Sequence, residues 1–206
     1  MLNLASMNVS KPSKAVALKL VKSLHTGSLD TYDTEVALGQ LYQFFIPATP
    51  AKPKTDTQWV CKALAKKDVR YFLNYLFVED GHMVATDGHR LHTTRTDLPN
   101  GSYDKALGLI DPDVAGRFPD WKRVIPAHQT NAQLADMDKE LIEIEGRFRY
   151  ELKLDGKTLV TVDKKYFDDA MSMMDNPRVT YGQHFDSILL QEGDSRAVVM
   201  PVRVAS

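Results

Sequence analysis

His82, Asp87, His89 and His92 fall within eleven residues, and side chains of these types can bind a metal ion or move a proton. Imidazole nitrogens with a carboxylate form the donor set of a hydrolytic metal centre, in which the ion acidifies a bound water. The spacing argues against such a centre. If the segment is extended, successive side chains alternate between faces, so His89 and His92 point in opposite directions. No helical histidine pair and no cysteine cluster supplies the missing ligands. The chain also lacks a G-x-S-x-G string, a P-loop and a G-x-G-x-x-G string, and its single cysteine, Cys61, has no recognisable partner. A non-enzymatic protein without metal or cofactor is therefore expected, with a histidine-based metal hydrolase as the minority reading.

The elements that must hold these residues belong to an ordinary globular composition. Of 206 residues, 43% are hydrophobic and 26% charged, and 26 Lys+Arg against 27 Asp+Glu leave a formal charge of −1. That balance excludes a protein that grips nucleic acid by bulk positive charge, so any DNA contact must come from local patches. No stretch of 18 apolar residues and no secretion signal is present, which leads to the expectation of a cytoplasmic protein with no membrane role. Positive charge concentrates at the front, where Lys11, Lys14, Lys19 and Lys22 have no acid among residues 1–26.

Val16, Ala17, Leu20, Val21 and Leu24 recur at helical spacing and end at Gly27. Residues 36–46 read as a second helix that stops at Pro47, and the proline-rich stretch 47–55 reads as a linker. Residues 1–55 are thus a helical extension with a linker, and 56–206 form the main region, with halves near 56–126 and 127–206. In the main region Asp56 or Thr57 caps a helix predicted to run to Lys67, with Lys62, Lys66 and Lys67 off its apolar face. Residues 69–80, 82–88 and 90–96 read as strands punctuated by Asp-Gly at 80–81 and 87–88. Three alternating runs within 139–162, a helix over 164–174 and three further strands complete the chain. The implied class is α+β, antiparallel sheets with helices packed on one face, rather than a periodic β-α alternation.

Three segments carry a resemblance: DVRYFLNYLFVEDGHMVATDGHRLH (68–92), RFPDWKRVIP (117–126) and AVVMPVRV (197–204). Together, and in this order, they resemble the second and third domains of the bacterial replicative sliding clamp, the β subunit of DNA polymerase III. ATDGHRL is the most specific piece, and residues 1–55 have no counterpart. The resemblance implies a DNA-clamp-like fold and a pocket for the clamp-binding peptides of DNA polymerase and other replication proteins. Carried over by motif, that pocket comprises Arg70, Leu73, Thr86, Gly88, His89, Arg90, Leu91, Pro119, Arg123, Val124, Val198, Val199, Met200, Pro201, Val202 and Arg203. Leu73, Leu91, Val124, Val198 and Met200 would form an apolar cavity with arginines at its rim. Methionine suits a site that accepts several related side chains.

The resemblance also implies that helices face double-stranded DNA without reading its sequence, which nominates Lys62, Lys66, Lys67, Lys164 and Lys165. The balance over 163–175 is two lysines against four aspartates, a poor phosphate-facing surface. A bacterial clamp subunit has three domains and closes a ring as a dimer, and this chain is too short for three. A shortened, phage-borne member of the family is therefore expected, in which three two-domain copies would complete six domains, so a homo-oligomeric trimer is favoured. The alternative is a module that keeps the pocket without forming a ring, an adapter or a competitor of a host clamp.

Overall fold

The computed structural model describes residues 55–127, 130–183 and 185–202, with scattered positions between 17 and 41. The chain divides into two compact units, Met1–Thr49 and Pro50–Ser206. In the first, Ala17, Leu20, Val21, Ser23 and Leu24 are helical, and Gly27, at φ +63°, donates its N–H to Leu24 O at 3.3 Å. Thr34, Ala37, Leu38 and Leu41 are also helical. The basic strip at Lys11, Lys14, Lys19 and Lys22 and most of the proline-rich stretch lie outside the described residues.

The second unit is built on antiparallel pairing. It starts with helix α1 (Asp56–Val60), which continues as a 3-10 turn over Cys61–Ala63. Five strands follow: β1 (Leu76–Glu79), β2 (His82–Thr86), β3 (Arg90–Arg95), β4 (Gly101–Tyr103) and β5 (Leu109–Ile110). After the short helix α2 (Pro112–Ala115) come β6 (Thr130–Gln133), β7 (Asp138–Ile144), β8 (Arg147–Leu154) and β9 (Lys157–Asp163). Helix α3 (Lys164–Met171) then leads to β10 (Arg178–Tyr181), β11 (Ile188–Glu192) and β12 (Ser195–Val199). A nine-stranded sheet runs in the order β5-β4-β1-β2-β3-β12-β11-β10-β6, and β7-β8-β9 form a second sheet. The pairing of β3 with β12, Leu91 opposite Val198, joins strands from the two halves of the sequence.

Period-two alternation gives the large sheet two apolar faces. Leu76, Val78, Met83, Ala85, Ile188, Leu190, Ala197 and Val199 point toward the helices, where Trp59 and Phe167 are fully buried. Phe77, Val84, Leu91, Leu189 and Val198 point the other way, into a smaller core closed by Leu73, Phe118 and Trp121. The smaller sheet adds Leu152, Val160 and Val162 to the helix-side core. The expected α+β class with helices on one sheet face is therefore what the chain adopts.

Three predicted elements differ, each for a local reason. The helix expected to reach Lys67 stops at Ala63 because Leu64 and Ala65 are buried in different cores, which extended backbone permits and a helix does not. Ala65 N–H instead bonds Leu73 O at 3.2 Å. Residues 71–74 form a 3-10 turn rather than a strand: the Asn74 carboxamide accepts from Asp68 N–H at 3.0 Å and donates to Asp68 O and Tyr71 O, both at 3.1 Å. Helix α3, capped by the Asp163 carboxylate on the N–H groups of Lys165 and Tyr166, ends at Met171 rather than 174. There the Ser172 hydroxyl donates to Asp169 O at 2.6 Å, a side-chain bond that competes with continuation of the helix.

Candidate functional site

The ATDGHRL segment closes on itself. Asp87 Oδ1 accepts from the N–H groups of His89 at 2.9 Å and Arg90 at 3.1 Å, while Thr86 Oγ1 accepts from Gly88 N–H at 3.1 Å and donates to Arg90 O at 2.6 Å. Gly88 sits at φ +90°, a backbone conformation that favours glycine, and a Cβ there would press on the Arg70 guanidinium at 3.2 Å. Arg70 is held over this turn by Asp68, at 2.8 Å, and by Asp87 O at 3.4 Å. Its hydrogen bonds hold the Asp68 carboxyl down at about 2. Met200 N–H bonds His89 O at 2.9 Å, which brings the end of β12 alongside the turn.

The 117–126 segment is clamped to the β1–β2 hairpin. The buried Trp121 indole donates to Glu79 Oε2 at 3.2 Å, Lys122 reaches Asp80 at 2.6 Å, and Phe118 stacks on Phe77 with centroids 4.6 Å apart. The bond from Lys122 keeps the Asp80 carboxyl below its ordinary value. With Trp121 directed inward, the 3-10 turn Trp121–Val124 presents Arg123 and Val124 to solvent.

Arg123, Val124, Pro126, Asp186, Ser187 and Met200 line an open groove of about 290 Å³. Val124 and Met200 are 50% and 45% exposed, and they share one groove rather than being scattered singly. A neighbouring cleft, which shares Arg123, is lined by Phe77, Phe118 and Pro119 with Glu79 and Arg117. Residues from two of the three resembling segments therefore meet in one concave surface, with His89 and Gly88 exposed on the third. Leu73, Leu91 and Val198 are buried in the small core beneath, where they form packing rather than open wall.

Alternation places other expected pocket residues elsewhere. Arg90 and Val199 point to the opposite face of the sheet, into the helix side, so Arg90 is not at a rim. Its guanidinium bonds Asp169 at 2.5 Å, Asp87 at 3.1 Å and the Lys62 carbonyl, and lies 4.6 Å from the Tyr166 ring centre. Pro201 pairs with Val162, and Val202 N–H bonds Thr161 O at 2.8 Å, tying these two residues to β9. Arg203 lies outside the described residues. Asp186, Ser187 and Pro126 were missed at the sequence level; the available signal was Phe185, an aromatic residue in a β10–β11 connection, which is 54% exposed.

The nominated lysines divide similarly. Lys164 is buried and paired with Asp168, which makes it a core cation rather than a DNA-facing one. Lys62 donates to Ser172 Oγ at 2.8 Å and lies 3.8 Å from Asp169, and Lys165 is 2.7 Å from the same carboxylate. Lys66 and Lys67 are exposed, on the bend after the 3-10 turn rather than on a helix. The histidines do not converge. His92 is fully buried and stacked on Trp59 at 4.6 Å, whereas His89 is exposed near Tyr166, and no group of three metal-ligating side chains occurs among the described residues.

No family model matches the sequence. The chain is 27% identical over 154 residues to the beta sliding clamp of Proteus mirabilis, a match covering 54% of this chain and 40% of that protein. Among solved structures, the DNA polymerase sliding clamp of Bacillus subtilis superposes with a TM-score of 0.52 at 15% identity, over 77% of this chain and 67% of that one. A Pseudomonas aeruginosa sliding clamp gives 0.51 at 20% identity, over 77% and 69%. In sequence the chain is similar to bacterial beta sliding clamps, and its fold is that of the DNA polymerase sliding clamp.

Proposed function

We propose that the protein is a clamp-like processivity factor whose groove at Arg123, Val124 and Met200 captures short clamp-binding peptides of a DNA polymerase or other replication proteins. The observation that carries this reading is the meeting of Val124 and Met200, 76 residues apart in sequence, as exposed apolar side chains around one groove in a clamp fold. Exposed methionine with a neighbouring guanidinium matches an extended peptide that offers an apolar anchor and backbone carbonyls. Met200→Glu and Val124→Glu, both on the surface and tolerable to the fold, are each expected to weaken such a peptide about 30-fold or more, about 2 kcal/mol. Fluorescence anisotropy with a labelled clamp-binding peptide checks this, and unchanged affinity in both variants rejects the groove.

The fuller form of the proposal is a homo-oligomeric ring, a trimer favoured, that encircles double-stranded DNA without sequence specificity. Tethering by closure would suit a chain of nearly neutral charge. Light scattering across a dilution series, followed by retention on circular but not linear DNA, tests it. The second reading, an adapter that binds the same peptides without a ring, is favoured by the ion-paired state of Lys62, Lys164 and Lys165. A persistent monomer that still binds the peptide would select the adapter.

A further inference from the structure

We propose that the face of β6, β10, β11 and β12 turned away from the helices is a carboxylate-reading site, on which an acidic segment of the partner polypeptide lies beside the groove at Met200. The proposal rests on the peptide-capturing reading and extends it to the charge of the partner.

The register builds the site. Gln133 lies opposite Arg178, Arg178 opposite Gln191, Gln191 opposite Arg196, and Arg196 opposite Thr93. Directly opposed residues of an antiparallel ladder share a face, and adjacent strands are about 4.8 Å apart. Amide and guanidinium side chains therefore alternate in a row about 14 Å long. A cleft of about 310 Å³ opens over the first three members of the row, Gln133, Arg178 and Gln191, and is completed by Asn176, Glu192 and Gly193, with Arg196 on the next strand beyond it.

Both guanidiniums lack an acidic partner among the described residues, in contrast to Arg70, Arg90 and Arg123, which are each paired with an aspartate. Arg196 Nε and Thr93 Oγ1, on directly opposed residues, are buried without any hydrogen-bond partner. The fold thus supplies neither an acid nor a hydrogen-bond acceptor to compensate Arg196 at its base, which leaves its charge to be met from outside the sheet. Planar, donor-only guanidiniums flanked by amides fit the two oxygens of a carboxylate.

Position and charge choose between carriers of that anion. Arg196, Val198 and Met200 alternate on one face of the chain, so Arg196 lies about 13 Å from Met200, about four residues of an extended segment. Glu192 accepts from the N–H groups of Asp175 and Asn176 and lines the same cleft, where a continuous phosphate backbone would meet its charge. Spaced carboxylates of a peptide avoid it.

The test uses the full chain at low ionic strength and a fluorescein-labelled peptide of alternating glutamate and glycine, read by anisotropy. Arg178→Gln with Arg196→Gln is expected to weaken binding at least tenfold, and the charge-matched pair Arg147→Gln with Lys157→Gln, exposed on the smaller sheet, to leave it within twofold. Failure of the groove reading would appear as apolar clamp-binding peptide affinity unchanged by Met200→Glu and Val124→Glu, with the acidic peptide still held through Arg178 and Arg196. Absence of acidic-peptide binding, or unchanged binding by the double variant, overturns the proposal. Tighter binding of a short DNA duplex through the same two arginines overturns it as well.

Discussion

Replacing Asp169 by alanine is expected to remove about 3 kcal/mol of unfolding free energy, the low end for a broken buried pair, because Arg90 loses its shorter and more buried partner while keeping Asp87 at 3.1 Å. The carboxylate receives Arg90 at 2.5 Å and Lys165 at 2.7 Å, with Lys62 3.8 Å away, and both Arg90 and Asp169 are buried. Burial pushes its carboxyl up, but the hydrogen bonds from Lys165 and Arg90 outweigh that and leave it below its ordinary value. The contact also joins β3, from the first half of the main region, to α3, from the second. Its loss therefore acts on the joint that aligns the groove. Urea unfolding followed by tryptophan fluorescence measures the effect. A loss below about 1 kcal/mol would show the network to be solvated like a surface pair.

The second large effect is a pH dependence set by His92. Burial, opposed by the hydrogen bond to Trp59 O at 3.0 Å, lowers its pKa to about 3. The carbonyl only accepts, so Nδ1 carries the proton of the neutral ring. The unfolded chain protonates this histidine near 6.5 while the folded chain does not, so its contribution is fully present above 6.5 and lost as pH falls toward 3. Stability should decline from this group by up to about 1.4 kcal/mol per pH unit, about 2.3 kcal/mol between pH 6.5, where the unfolded imidazole is half protonated, and pH 4.5. Denaturant unfolding across that range, compared with His92→Gln, isolates it. Equal slopes in the two proteins would mean that His92 titrates normally in the fold.

Much of the architecture was legible from residue order because alternation and turn chemistry are local. Asp-Gly at 80–81 and the alternating runs over 139–162 prescribe hairpins wherever they occur, and β1–β2 and β7–β8–β9 form there. The Asp87 and Thr86 hydrogen bonds that shape ATDGHRL are also local, which is why that string is so specific a signal. The composition, with its lack of bulk positive charge, depended on no fold at all.

What needed three dimensions was the assignment of side chains to faces between strands distant in sequence. Arg90 and Leu91 are neighbours in the motif, yet the pairing of β3 with β12 sends one to Asp169 and the other to the small core beneath the groove. The helix after Asp56 was cut short by two burial demands, on Leu64 and Ala65, that no window of local pattern contains. Lys164 and Lys165, nominated to face DNA from a segment whose aspartates already made it a poor phosphate-facing surface, pair with Asp168 and Asp169 once α3 is capped at Asp163, because a helix places residues four apart side by side. The row from Gln133 to Arg196 exists only through register, since its members come from four strands that adjoin only after the sheet has closed.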